Sequence, residues 1–238
     1  MQKKLLLSLL LVFTNMIYAQ IRPLHIEKVA DNLYTYTTYQ EFQGTLYSCN
    51  ALYLLTDQGV VLFDTPWDKT LNQPLLDSIQ EKHQKSVIKV FATHWHNDRA
   101  GGFDFFNSLG IDTYSSARTN SILRREKLAT ARYEFGDEVS FSVGGETFEL
   151  WFPGEGHTTD NLVVWFAKQK VLNGGCLVKS STAKDLGFTA DGDIAAWPET
   201  IKRLQQRYKK VEITIPGHDD WRQPGHIQHT LTLLKAAK

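Results

Sequence analysis

The chain has 238 residues, with 26 basic and 26 acidic side chains, eight His and two Cys. That length is ample to bury a core, and 42 % apolar with 22 % charged residues excludes disorder, coiled coil and collagen. Formal neutrality leaves no basic surplus for phosphates, which argues against a nucleic-acid partner, and two cysteines are too few for a disulfide framework.

Lys3 and Lys4 precede an apolar run from Leu5 to Val12, and Ile17-Tyr18-Ala19 closes the segment on a small residue. This pattern predicts a secretory signal peptide over residues 1–19, cleaved after about Ala19, with residues 20–238 as one exported domain. The run is too short to span a bilayer and no longer one follows, so stable membrane insertion is not expected. The leader points to a periplasm.

Residues Ile26 to Asp64 read as β-structure, with Asp57-Gln58-Gly59 marking a turn between two apolar runs. The period then changes: Leu71, Leu75, Leu76 and Ile79 predict a helix ending near His83. Val87 to Ala92 is the next strand, expected to be buried on both sides. Helical stretches are expected after Asp98 and over Ser121–Leu128. In the second half, Phe141–Phe152, Leu162–Phe166 and Val171-Leu172 read as strands. Trp197, Ile201, Leu204 and Tyr208 mark a helix, Val211–Ile215 a strand, and Ile227, Leu231 and Leu234 a closing helix. The same order in both halves predicts two packed sheets with helices outside.

Eight histidines would be unremarkable if scattered, but several lie in glycine-rich or aspartate-rich loops after strands. His94-Trp95-His96-Asn97-Asp98-Arg99 follows the strand ending at Ala92 and runs into Gly101-Gly102. Two imidazoles and a carboxylate at this spacing cannot share a helical face, but a tight loop can aim them into one cavity, where imidazole suits zinc. Gly156-His157, Gly174-Gly175-Cys176 and Gly217-His218 each place another ligand candidate beside glycine, which lets backbone approach a crowded site. Two cysteines in an exported chain also admit a Cys49–Cys176 disulfide. Cys49 lies inside a strand-like run, however, so the sequence favours Cys176 as a zinc ligand and Cys49 as a free, buried thiol.

These residues resemble the metallo-β-lactamases of class B, subclass 1. The similarity runs from Asp64-Thr65-Pro66-Trp67 through the His94–Arg99 segment to Pro216-Gly217-His218. Arg99, Cys176 and Lys179 are its more specific marks, because the HxHxD core is common to a whole hydrolase superfamily. The resemblance implies an α/β fold, a four-layer αβ/βα sandwich of two mixed sheets with helices outside, and two Zn2+ per chain. It implies that His94, His96 and His157 hold one zinc while Asp98, Cys176 and His218 hold the other. Three neutral imidazoles leave an open fourth position, and water shared between two zinc ions loses a proton near pH ~7. The implied activity is hydrolysis of the β-lactam amide of penicillins, cephalosporins and carbapenems by zinc-bound hydroxide, without an acyl-enzyme, conferring antibiotic resistance. Asp98 would also orient the hydroxide, and Lys179 would pair with the substrate carboxylate. Asp64, Thr93 and Arg99 would support the ligands. Phe42, in the Phe42-Gln43-Gly44 hairpin tip, resembles part of a mobile loop that closes over substrate, and Trp67 would join it in the substrate site. Phe188 stands where the family often has Asn, which is expected to shift the substrate profile. The partner expected is a small-molecule β-lactam, and the chain is expected to be a monomer.

Overall fold

The computed structural model describes residues 24–42 and 44–237; the segment expected to be a leader, residues 1–19, and Gln43 of the hairpin tip lie outside the described residues. Seven strands form one sheet in chain order: β1 (Leu24–Ala30), β2 (Leu33–Phe42), β3 (Thr45–Thr56), β4 (Gly59–Phe63), β5 (Val87–Phe91), β6 (Asp112–Ser116) and β7 (Tyr133–Phe135). Strands β1 to β4 pair antiparallel, and β4 to β7 run parallel. The second sheet holds β8 (Glu138–Val143), β9 (Glu146–Trp151), β10 (Val163–Phe166), β11 (Val171–Gly175) and β12 (Ile213–Pro216), in the order β12-β11-β10-β9-β8. Only its β11–β12 pair is parallel. Both sheets are therefore mixed.

Side-chain alternation explains the layers. In β3 and β4, Leu52, Leu54, Val61 and Phe63 face the second sheet, while Ala51, Tyr53, Val60 and Leu62 face helices. Those helices are α1 (Asn72–His83), α3 (Phe103–Ser108) and α4 (Ala117–Arg125), which contribute Leu75, Ile79, Phe103, Phe106 and Leu123. In β10 and β11, Val164, Phe166 and Val171 face inward, and Val163 and Leu172 meet α5 (Trp197–Arg207) and α6 (His226–Ala236) through Trp197, Ile201, Leu204 and Leu234. Helices, sheet, sheet, helices: this is the expected four-layer sandwich.

Several details differ from the sequence reading. The halves are unequal, seven strands against five. Phe141–Phe152 is a hairpin that turns at Gly144 and Gly145, both at positive φ. Strands β6 and β7 escaped notice because short polar stretches such as Asp112–Ser116 carry little alternation. Lys89 in β5 is not buried; its Nζ lies 3.0 Å from Asp112. The helix expected over Ser121–Leu128 begins four residues earlier, where the Ser116 hydroxyl accepts the Thr119 N–H as an N-cap.

Phe63 lies at the middle of the inter-sheet core, stacked on Phe91 and edge-on to Phe148 and Phe166. Phe63→Ala is expected to lose about 3–5 kcal/mol of stability in denaturant unfolding. The exposed Phe42→Ala should change it by less than ~0.5 kcal/mol.

Candidate metal centre

The parallel pairs β4–β5 and β11–β12 end at the same edge of the sandwich, and loops leaving carboxyl ends of strands are where α/β architectures place ligands. Asp64 and Thr93 follow β4 and β5, Cys176 follows β11, and His218 follows β12. His157 arrives on the loop before β10. That loop is closed by Asn161, whose Oδ1 accepts the Thr158 N–H and whose Nδ2 donates to Gly154 O. It is tied to the His94 loop by Leu162 N–H to Thr93 O at 2.7 Å. His96 begins the short α2 (Asn97–Ala100), whose first turn carries Asp98 and Arg99 inward.

The structure brings the six ligand candidates together. His94 Nε2 lies 3.2 Å from His96 Nδ1. The His157 ring stands 5.0 Å from that of His94 and 5.2 Å from that of His96, nearly perpendicular to both. Cys176 Sγ is 3.2 Å from His218 Nε2 and 3.5 Å from Asp98 Oδ2, and His218 Nε2 is 3.4 Å from that same oxygen. Ligand atoms of His94, His157 and Cys176 lie within 4.8 Å of one another, as do those of His94, His96 and Asp98. The two trios therefore adjoin. Gly217 makes this crowding possible, since a Cβ there would sit 2.7 Å from Cys176 Sγ and 2.8 Å from Arg99 Nη2. Both cysteines are free and buried.

Arg99 lies beneath the trio of Asp98, Cys176 and His218, with no exposure. Its Nη2 donates to Cys176 Sγ at 3.0 Å and to Gly217 O at 2.9 Å, and Nη1 donates to Asn50 O at 2.7 Å. Nε lies 3.0 Å from Asp98 Oδ2, and Nη1 lies 3.4 Å from Asp64 Oδ2. Asp64, itself at positive φ, accepts the Thr93 N–H at 2.7 Å and so holds the strand end that carries His94. The Thr93 hydroxyl, by contrast, is buried without a hydrogen-bond partner among the described residues.

Burial holds His94 and His157 neutral, with pKa values well below the usual range, assisted by His96 and Lys179 respectively. For His218, burial opposes the charge but Cys176 and Asp98 outweigh it, pushing the pKa up to about 10. Burial likewise works against an ionised Asp98, yet Arg99 and His218 keep its carboxyl well below the ordinary range. Lys179 is 9 % exposed, its ammonium 5.4 Å from the Trp197 ring centre, and burial lowers its pKa.

The rim is aromatic. Phe188 is 59 % exposed, its ring 5.7 Å from that of His96. Phe42 is exposed at the hairpin tip, and the link from that hairpin to the cluster runs instead through Tyr47 and Trp67, the latter 6.1 Å from the His218 ring. Three participants escaped the sequence reading. Asp191 Oδ2 lies 3.0 Å from His96 Nε2, Ser48 O lies 2.7 Å from His218 Nδ1, and Asn50 Nδ2 donates to Pro216 O and Asp219 O. Each contact joins segments 95 or more residues apart, so no local spacing announces it.

The sequence matches the Metallo-beta-lactamase superfamily over residues 44–218. The chain belongs to that family. It is 48 % identical over 217 residues to metallo-beta-lactamase IND-1 of Chryseobacterium indologenes, covering 91 % of both chains. It is 44 % identical to metallo-beta-lactamase type 2 of Elizabethkingia meningoseptica, covering 98 % of this chain and 94 % of that one. Its fold superposes on the crystal structure of metallo-beta-lactamase IND-7 with a TM-score of 0.89 at 47 % identity, over 91 % of this chain and all of that one. Family membership implies a metal cofactor, and the donor set fits one: neutral imidazoles, an ionised carboxylate and a thiol facing one another at ligand-to-ligand spacing.

The titrations set an acid limit for the metal-free protein. The unfolded chain protonates its histidines below pH ~6.5, whereas the folded chain keeps His94, His157 and His226 neutral by burial. Unfolding therefore takes up protons, and stability falls as pH drops below ~6.5. Asp64, pushed up to about 6 by burial, offsets one of the three. Denaturant midpoints of chelated protein should fall between pH 6.5 and 5; a constant or rising midpoint would contradict the buried neutral imidazoles.

Proposed function

We propose that the chain is an exported zinc β-lactamase that hydrolyses the amide of penicillins, cephalosporins and carbapenems, and so confers antibiotic resistance. In this reading residues 1–19 are removed on export to the periplasm, and residues 20–238 act as one domain holding two zinc ions. The observation that carries it is the side-by-side meeting of an all-imidazole trio and a carboxylate–thiol–imidazole trio at one sheet edge. The β-lactamase names of relatives at 44–48 % identity support the substrate class. Among the described residues no helix is long and apolar enough to cross a membrane.

His94, His96 and His157 would hold one ion, and Asp98, Cys176 and His218 the other. Zinc bound there supplies Lewis acidity and acidifies water toward pKa ~7. The chain's own groups do the orienting. Asp191 accepts a hydrogen bond from His96 Nε2–H and leaves Nδ1 facing the cluster, and Ser48 O accepts from His218 Nδ1–H and leaves Nε2 facing it. Asp98 orients the attacking water. No serine or cysteine nucleophile is needed, so no acyl-enzyme forms.

Lys179 is buried and forms no ion pair with a carboxylate among the described residues, and a β-lactam carboxylate would complete it. Trp67 and Phe188 would flank the bound ring, and Phe42 would reach it from the hairpin. Phe188 offers an aromatic edge beside His96 where an amide could donate to a developing oxyanion, which shifts discrimination between β-lactam classes toward apolar contact.

Purified protein should hydrolyse a chromogenic cephalosporin, lose that activity to a chelator and regain it with zinc. Lys179→Ala should lower kcat/KM by about 10–100-fold, as expected for losing a hydrogen bond to a charged group. Activity that survives chelation would overturn the proposal.

A further inference from the structure

Cys49 is the one thiol that the proposed function leaves without a task. It is 1 % exposed on β3, where a small apolar side chain would pack equally well, yet its neighbours are not apolar. Its Sγ lies 3.8 Å from Asp98 Oδ2 and 3.7 Å from Asp98 O. The ligand atoms of Cys49, Asp98 and His218 all fall within 4.8 Å of one another. Asp98 Oδ2 thus has two thiols close by, Cys176 at 3.5 Å and Cys49 at 3.8 Å.

The position of Cys49 is fixed from both flanks. Ser48 O receives His218 Nδ1 at 2.7 Å, and Ser48 Oγ accepts the Asp219 N–H at 2.9 Å. Asn50 N–H donates to Gly217 O at 2.8 Å, and Asn50 O accepts from Arg99. The segment that carries Cys49 is therefore stitched directly to the loop that carries His218. A thiol held this way keeps its distance to the cluster without any adjustment of its own backbone.

We propose that Cys49 is a second sulfur donor to the Asp98/Cys176/His218 half of the centre, which makes that half a two-thiol pocket selective for soft divalent ions such as cadmium. Binding replaces the S–H bond with a metal–sulfur bond and releases the proton to solvent. Two thiolates shift preference toward thiophilic ions relative to a pocket with one. The inference rests on the metal-dependent reading of the site, and its test reads sulfur coordination rather than turnover.

The probe is Cd2+ added to metal-free protein, read as sulfur-to-cadmium charge-transfer absorbance. Cys49→Ser and Cys176→Ser should each keep roughly half of the wild-type absorbance, and the double variant none. A full band in Cys49→Ser with none in Cys176→Ser would overturn the inference while leaving the metal centre intact. A wild type that shows no band at all would overturn both readings. Should the variants fail to fold, X-ray absorption on cadmium-loaded wild type at one equivalent decides the matter, with two sulfurs around the ion supporting the proposal and one refuting it.

Discussion

A guanidinium with no solvent exposure holds this site together. Arg99 touches the thiol of Cys176, the carboxylates of Asp98 and Asp64, and the carbonyls of Asn50 and Gly217. Removing such a charge from water costs several kcal/mol, and only a nearly saturated set of partners offsets it. Its planar fork of five donors reaches them all at once, which lysine could not do. The consequence is mechanical. One side chain ties the middle of β3, the turn after β4, the Cys176 loop and the Gly217 turn to the loop that carries its own neighbour, Asp98. It also sets the local charge, keeping Asp98 ionised where burial alone would protonate it.

The rest of the centre follows from that anchor. His94 and His157 are neutral because they are buried, so they present lone pairs and not charge. His218 stands between Cys176 and the Asp98 carboxylate and is held as a cation in the metal-free protein, ready to exchange its proton for an ion of like sign. Local strain accompanies this arrangement: Asp64 adopts positive φ, and the Thr93 hydroxyl stays unpaired beside the strand that delivers His94. The sandwich core, with Phe63 packed against the rings of Phe91, Phe148 and Phe166, supplies the rigidity that tolerates such strain.

Much of this was legible in the chain itself. The layers were, because Leu52/Leu54 and Ala51/Tyr53 alternate cleanly and α5 repeats Trp197, Ile201 and Leu204 at helical spacing. The six clustered side chains were, because His94, His96 and Asp98 form one closely spaced run just past an apolar strand and His157, Cys176 and His218 each sit beside glycine. What stayed hidden was of two kinds. Strands β6 and β7 owe their place to pairing with neighbours and not to their own pattern. Asp191, Ser48 and Asn50 owe theirs to contacts that close only when distant segments meet, so nothing in their immediate sequence sets them apart.

The claim that Arg99 organises the second trio is tested most directly by zinc titration of Arg99→Lys, which keeps the charge and removes the fork. The account predicts that one of two zinc-binding steps weakens by about 10–100-fold while the other is unchanged. Two steps with wild-type affinities in a folded variant would contradict it.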